Sequence, residues 1–128
     1  MATATLTVPA TPEQARTARL VVGAAARRAG VDPDVLDDVR LAVAEAVARA
    51  VLRALAAGVA VPVAVAMTDD GTSFRVDVTD GSPPSVTDGE DEMEERLAVA
   101  VIQSLAPGST LTDTPDGGRT VSLVWPTA

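Results

Sequence analysis

The chain contains no cysteine, histidine, lysine, asparagine or tyrosine, and all ten of its basic residues are arginine. Without cysteine and histidine it can form neither a thiolate nucleophile nor a Ser–His relay, and it offers no His or Cys ligand to a metal. Without lysine it cannot form a Schiff base. Any catalysis would therefore depend on Asp, Glu, Ser, Thr and Arg.

Aromatic residues are nearly absent as well, with one Phe and one Trp among 128 residues. Hydrophobic residues nevertheless make up 47% of the chain, so we expect a single folded domain over residues 1–128 with a core of Ala, Val and Leu. The formal net charge of −8 argues against direct binding to nucleic acid, which requires a basic surface.

The chain also lacks a long hydrophobic segment. The longest uncharged apolar run, residues 54–67, contains Gly58 and Pro62 and is too short to cross a bilayer. Residues 1–10 have neither the basic nor the apolar part of a signal peptide. We therefore expect a soluble cytoplasmic protein without membrane contact, a location with which the absence of cysteine is compatible.

The first half of the chain is predicted to be a strand followed by two helices. Residues 3–8 alternate Thr with apolar residues, which indicates a strand. Thr11-Pro12-Glu13-Gln14 has the pattern of a capping box and predicts a helix that is stopped by Gly30. Asp32-Pro33-Asp34 predicts the start of a second helix, which continues to Gly58. Its apolar residues recur at helical spacing and predict the buried side: Leu36, Val39, Val43, Val47, Ala50, Val51 and Ala54.

The second half is predicted to contain two hairpins and a short helix. Apolar residues alternate over 61–67 and again over 74–78, which indicates the first hairpin. Residues 80–95 are acidic and rich in Pro and Gly, as in a loop, and a short apolar helix follows over 97–105. The second hairpin spans 109–125. The order β-α-α-β-β-α-β-β predicts a two-layer α+β sandwich with a mostly antiparallel sheet and its helices on one face.

This order, together with VLDDVRLAVAEAVARAV over residues 35–51, resembles the serine-kinase anti-sigma factors of the histidine-kinase-like ATPase superfamily. The resemblance extends to ARTARLVV at 15–22, FRVDVTDG at 74–81, LAVAVIQSL at 97–105 and TPDGGRTVSLVW at 114–125. It implies a protein that binds a sigma factor and phosphorylates a serine of an anti-anti-sigma partner.

The family's helix motif, Glu-x-x-x-Asn, is only half present. Glu45 occupies the position of the glutamate that polarises the attacking hydroxyl, as the resemblance implies. Arg49 occupies the position of the asparagine that holds Mg²⁺, and the chain has no asparagine that could replace it. The resemblance therefore makes Glu45 a vestigial general base.

The adenine motif, Asp-x-Gly-x-Gly, is damaged in a similar way. Asp80 matches the adenine-contacting aspartate and Gly81 follows it, but Ser82 and Pro84 stand where the family has glycines. Glycine lets the backbone approach a nucleotide closely, so this approach is expected to be lost. As an isolated residue, Asp80 could equally be an ordinary turn residue.

The glycine-rich lid is missing. With IQSL (102–105) setting the register, its glycines fall on Arg96 and Ala98, and five carboxylates lie within residues 90–95. Acidic residues near a triphosphate raise the electrostatic cost of binding it. We therefore expect that neither ATP nor Mg²⁺ is bound and that the chain has no cofactor. Residues 88–95 are expected to form a solvated, mobile loop, because they lack the ligand spacing of a calcium site.

Three interpretations of Glu45 and Arg49 are open from sequence. They could form a solvated i,i+4 pair that contributes about 0.3–0.5 kcal/mol. In the family context, the Arg49 guanidinium could replace the metal and neutralise Glu45. Arg49 could also bind phosphate directly without Mg²⁺.

A group of arginines on the first helix is the other notable feature. Arg16, Arg19 and Arg27 fall on one helical face of an otherwise acidic chain. They form either a solvated face or a surface for an acidic partner. In the family, the arginine that matches Arg19 lies on a surface that both sigma and anti-anti-sigma partners contact.

The sequence thus predicts a kinase-dead regulatory protein that binds a STAS-type anti-anti-sigma factor, or a sigma factor, in a partner-switching system. The alternative is an active serine/threonine kinase with an atypical ATP site. A third interpretation is a pocket adapted to another small ligand. The strand at 3–8 is a candidate edge for a homodimer.

Overall fold

The computed structural model describes residues 2–58, 61–81, 89–114 and 118–127, and for residues 89–92 and 95 it describes the backbone only. The elements follow the predicted order: β1 Ala2–Val8, α1 Gln14–Ala29, a 3₁₀ turn Pro33–Val35, α2 Leu36–Ala56, β2 Val63–Asp69, β3 Ser73–Asp80, α3 Gly89–Leu105, β4 Thr110–Asp113 and β5 Arg119–Pro126. The predicted α+β class is confirmed.

The strands form one antiparallel sheet in the order β1-β2-β3-β5-β4. Within the helix layer, α2 packs against both α1 and α3 and also contacts β2, β3 and β5. The central helix therefore connects the two layers. Strand β1 lies at one edge of the sheet, and a dimer formed through this edge stays a prediction.

The core lies between α2 and the sheet and consists mainly of Val and Ala. All seven residues of the predicted apolar side of α2 are buried. On β3, Phe74, Val76 and Val78 are buried and alternate with more exposed residues. Strand β5 adds Leu123 and Trp125. The one Phe and the one Trp of the chain are thus both in the core, and small Val and Ala side chains fill the space around them.

Helix α1 begins two residues later than the capping-box pattern predicts. The backbone N–H of Gln14 donates to the carbonyl oxygen of Thr11 at 3.1 Å, and no side chain caps this end of the helix. Glu13 accepts hydrogen bonds from its own backbone N–H and from the Thr11 hydroxyl, which lowers the pKa of its carboxyl. The capping-box prediction is therefore wrong, because Thr11 and Glu13 bond each other in a turn before the helix. The predicted stop is confirmed, since Gly30 has a left-handed φ of 93°.

The predicted start and end of the second helix are confirmed with one refinement. Asp32 Oδ1 accepts a hydrogen bond from the Asp34 N–H at 2.9 Å, which opens the 3₁₀ turn that leads into α2. The helix ends at Ala56, and Gly58 has a φ of 66°.

The hairpin of β2 and β3 is confirmed, apart from its first residue. Val61 precedes β2 and is 48% exposed, so it does not share the buried side of Val63, Val65 and Met67. At the turn, the backbone N–H groups of Thr72 and Ser73 donate to the Asp70 carboxylate. These bonds, with the Thr72 hydroxyl, lower the pKa of Asp70 to about 2.

The predicted acidic loop is wrong for residues 89–95, which are helical. Helix α3 starts at Gly89 rather than at residue 97. Glu, Met and Leu are good helix formers, and carboxylates near a helix N-terminus interact favourably with its dipole. The acidic segment therefore extends the helix, while residues 82–88 lie outside the described part of the chain.

Within the described ranges, no helix combines the length and the apolar character that crossing a membrane requires.

Candidate functional site

Three charged residues recur at four-residue intervals along α2: Glu45, Arg49 and Arg53. Residues spaced in this way lie above one another on a helix, and Glu45 and Arg49 are half-buried. The Arg53 Nε lies 3.2 Å from Oδ2 of Asp80, at the end of β3. The last residue of this row therefore contacts the end of β3.

The side chains of Arg53 and Asp80 are both largely buried. The exposed fraction of the side chain is 12% for Arg53 and 4% for Asp80. Asp80 faces the helix layer because it continues the buried alternation of Phe74, Val76 and Val78 along β3. A carboxylate in this position needs a charged or hydrogen-bonding partner, and the guanidinium of Arg53 supplies one.

A second arginine lies next to Asp80 across the sheet. Arg119 is the direct partner of Asp80 in the register of β3 and β5, so both residues project from the same face of the sheet. The Arg119 Nε also lies 3.7 Å from Oδ1 of Asp113 on β4. Asp80 thus lies in a mainly basic environment, with Arg53 above it and Arg119 beside it.

Gly118 fixes the close approach of β5 to Asp80. A Cβ atom at this position would lie 2.2 Å from the Asp80 carbonyl oxygen and 3.0 Å from the Thr114 hydroxyl oxygen. The Gly118 N–H donates to that hydroxyl at 2.8 Å. Only glycine fits here without a shift of the backbone.

The positions predicted for the glycines of the lid lie inside a continuous helix. Arg96 is exposed on α3 and Ala98 is buried. Both come more than one turn after Gly89, so their backbone N–H groups donate within the helix rather than to a ligand. Gly81 is exposed, and Ser82 lies outside the described residues.

Of the three arginines predicted to form a surface on α1, the structure places two in one groove. Arg16 and Arg19 line a groove of about 420 Å³ with Pro12, Glu13, Ala15 and, from α2, Ala44. Arg16 is exposed and Arg19 half-buried. Arg27 is exposed on the same helix, two turns beyond Arg19 and outside this groove. Arg16 and Arg19 therefore form the compact part of the surface.

In the part of the chain that the structure describes, no three acidic side chains come close enough together to hold a metal ion.

Sequence reasoning missed two residues of the site, Arg53 and Arg119. Arg53 continues the four-residue spacing of Glu45 and Arg49, and this spacing was the available signal. Arg119 gives no comparable signal, because its position opposite Asp80 depends on the pairing of β3 with β5.

Comparison with known proteins identifies the family. The sequence matches the histidine kinase-like ATPase domain over residues 8–125, and the chain belongs to this family. The predicted membership of the histidine-kinase-like ATPase superfamily is therefore confirmed.

A solved structure with the same fold contains the RsbU and RsbW domains of Rv1364c from Mycobacterium tuberculosis. The TM-score is 0.72 at 24% sequence identity, and the match covers 97% of this chain and 32% of that chain. This chain thus spans less than half of the solved one. No curated protein matches by sequence.

Proposed function

We propose that this protein is a kinase-dead member of its family that regulates by binding, within a partner-switching system. Its partner is a STAS-type anti-anti-sigma factor, or in a close variant a sigma factor. It acts without ATP or Mg²⁺. The observation that carries the proposal is the buried ion pair of Arg53 and Asp80.

This ion pair conflicts with adenine binding. Oδ2 of Asp80 accepts a hydrogen bond from the Arg53 Nε at 3.2 Å. A hydrogen bond between charged groups is stronger than one to a neutral amino group. Adenine would have to compete with Arg53 for a carboxylate that is 4% exposed. Loss of the arginine would leave a buried charge without its partner.

The residues near the former metal and phosphate positions do not fit those groups either. Arg49 carries five N–H donors and no acceptor, whereas Mg²⁺ is bound by oxygen atoms. The N–H groups at Arg96 and Ala98 are inside α3, so they cannot surround a phosphate as a glycine-rich loop does. Glu45 alone, without metal or lid, cannot align a phosphoryl transfer.

We expect calorimetry to detect no ATP binding by the wild-type protein, with or without Mg²⁺. Arg49→Asn should restore neither ATP binding nor phosphorylation of a STAS-domain serine. The variant would still lack the glycine-rich lid, and Asp80 would still be paired with Arg53. Arg75→Asn is the matched control, since Arg75 is 54% exposed and pairs with Asp77 rather than Asp80. Micromolar ATP binding, or transfer of the γ-phosphate, would instead establish the alternative function, an active kinase.

The groove between α1 and α2 is the proposed partner surface. Arg16 and Arg19 place two positive charges beside the exposed Glu13 in a protein of net charge −8. A local basic surface of this kind steers an acidic partner and fixes its orientation. The groove also includes Ala44, which precedes Glu45 on α2.

Reversing the charge of Arg19 should weaken the partner complex by about tenfold or more. The experiment measures the affinity of Arg19→Glu for the STAS-domain proteins of the same genome, at low and high salt. Arg28→Glu is the control, because Arg28 is exposed on the same helix but does not line the groove. Equal affinities of the two variants would count against the groove, even if the protein is kinase-dead.

A further inference from the structure

A cavity of about 490 Å³ lies between the second half of α1 and the strands β1, β2 and β3. Phe74, near the start of β3, is one of its lining residues. Asp80 is the last residue of the same strand, so the cavity is at the opposite end of the sheet from Asp80. Its volume falls in the range of small-molecule sites, about 300–1,000 Å³.

The cavity exists because short side chains line it. Half of its lining residues are alanine: Ala2 and Ala4 on β1, and Ala24, Ala25 and Ala29 on α1. A protein interior is otherwise packed closely, with few voids larger than a water molecule. Alanine is too short to fill the space between a helix and an edge strand, and the space is therefore left open to a ligand.

The sheet supplies an apolar floor with a carboxylate beside it. Met67 on β2 and Phe74 on β3 line the cavity and are 5% and 2% exposed. Asp69 is the direct partner of Phe74 in the register of β2 and β3, so both side chains project from the same face of the sheet. Asp69 also lines the cavity and is half-buried.

The cavity carries one charge of each sign, and the two do not pair with each other. Asp69 accepts a hydrogen bond at Oδ1 from the Gly71 N–H at 2.9 Å. Arg28, on α1, is exposed and lines the cavity, and within the described ranges it takes part in no hydrogen bond or ion pair. A ligand with a single charge would meet a like charge as well as an opposite one, whereas a ligand with both charges complements both residues.

We propose that this cavity binds a small zwitterion with an apolar body, such as an amino acid with a large apolar side chain. The ligand carboxylate pairs with the guanidinium of Arg28, which matches it geometrically. The ligand ammonium pairs with Asp69, and the apolar body contacts Met67 and Phe74. The cavity is separate from the Arg53–Asp80 pair and from the groove between α1 and α2, so this inference does not depend on the proposed function.

The probe is phenylalanine, titrated into the full chain and followed by the NMR signals of the backbone amides. We expect saturable shifts at about millimolar concentration, as for a ligand of this size, in the second half of α1 and the first residues of β1. Two analogues separate the charges: phenylpropionate lacks the ammonium, and phenethylamine lacks the carboxylate. Each analogue should bind about tenfold more weakly than phenylalanine, because it makes one charged hydrogen bond fewer.

Two charge variants assign each ligand group to its residue. Arg28→Gln should weaken phenylalanine binding by about tenfold but should leave the affinity for phenethylamine within about twofold of wild type, because that analogue has no carboxylate. Asp69→Asn keeps an oxygen that can accept from the Gly71 N–H and should weaken phenylalanine but not phenylpropionate. Arg27→Gln is the matched control, since Arg27 is exposed beside Arg28 but does not line the cavity.

A third variant tests the position of the site. Ala25→Leu places a larger side chain in the cavity and should abolish the shifts, while the fluorescence of Trp125 checks that the variant is folded. The proposal is overturned if the wild-type chain shows no saturable shifts, or if the folded Ala25→Leu variant binds phenylalanine like wild type. Equal affinities of Arg28→Gln and Arg27→Gln, or an analogue that binds as tightly as phenylalanine, would also overturn it, because one of the two charges would then be unused.

Discussion

Replacing Arg53 with methionine should lower the free energy of unfolding by about 3–5 kcal/mol. Methionine keeps most of the aliphatic volume but removes the guanidinium that lies 3.2 Å from Asp80. The carboxylate of Asp80, 4% exposed, would then be buried without this partner. Urea denaturation followed by the fluorescence of the single tryptophan, Trp125, measures the loss, since Trp125 is buried in the core.

Two further variants make this result interpretable. Arg75→Met removes a guanidinium of an exposed pair, with 54% exposure for Arg75, and should cost less than about 1 kcal/mol. The double variant Arg53→Met/Asp80→Leu removes both charges and should recover much of the lost stability. A loss below about 1 kcal/mol for Arg53→Met alone would show that the pair contributes little. The proposed competition between Arg53 and adenine for Asp80 would then have no basis.

Gly118→Ala should be more disruptive than an alanine substitution at any other glycine that the structure describes. The added Cβ would lie 2.2 Å from the carbonyl oxygen of Asp80, and a backbone atom cannot move aside as a side chain can. The strands β3 and β5 must separate locally, so we expect a loss of about 3 kcal/mol, at the upper end of overpacking effects. Thermal unfolding measures the stability, and amide hydrogen exchange shows whether the β3–β5 ladder opens near Asp80.

Gly108→Ala is the control for this prediction. A Cβ at Gly108 meets no atom within 4 Å, so its effect should stay within about 0.5 kcal/mol. If both glycine variants unfold at the wild-type temperature, the approach of β5 to Asp80 is looser than the structure indicates. Because Gly118 and Arg53 contact the same residue from two elements, the two predictions test one site independently.

The proposed loss of ATP binding is compatible with the stability of the fold. Arg53 on α2 and Asp80 on β3 join the two layers at this end of the sheet. A charge pair from within the chain occupies the carboxylate that a ligand would otherwise contact. In the proposed function, the fold would maintain its partner surface without depending on ATP.

The order of the elements and most of their limits follow from local patterns in the sequence. Glycines with positive φ, such as Gly30 and Gly58, end the first two helices, and the apolar spacing of α2 predicted its buried side. These signals are local, because helix and strand periods and turn residues act within a few positions of the chain. The sequence also showed that no asparagine is available to hold Mg²⁺.

Which charged residues meet depends on how whole helices and strands pack against one another. Arg53 and Asp80 are 27 residues apart, and neither residue alone predicts the other. Helix α3 begins at Gly89 although its composition suggested a loop, and its packing on α2 is a contact that no local pattern predicts. Local patterns determine secondary structure, but partners distant in sequence are selected by the packing of whole elements. The proposed loss of ATP binding depends on the Arg53–Asp80 pair. This pair could therefore not be predicted from the sequence.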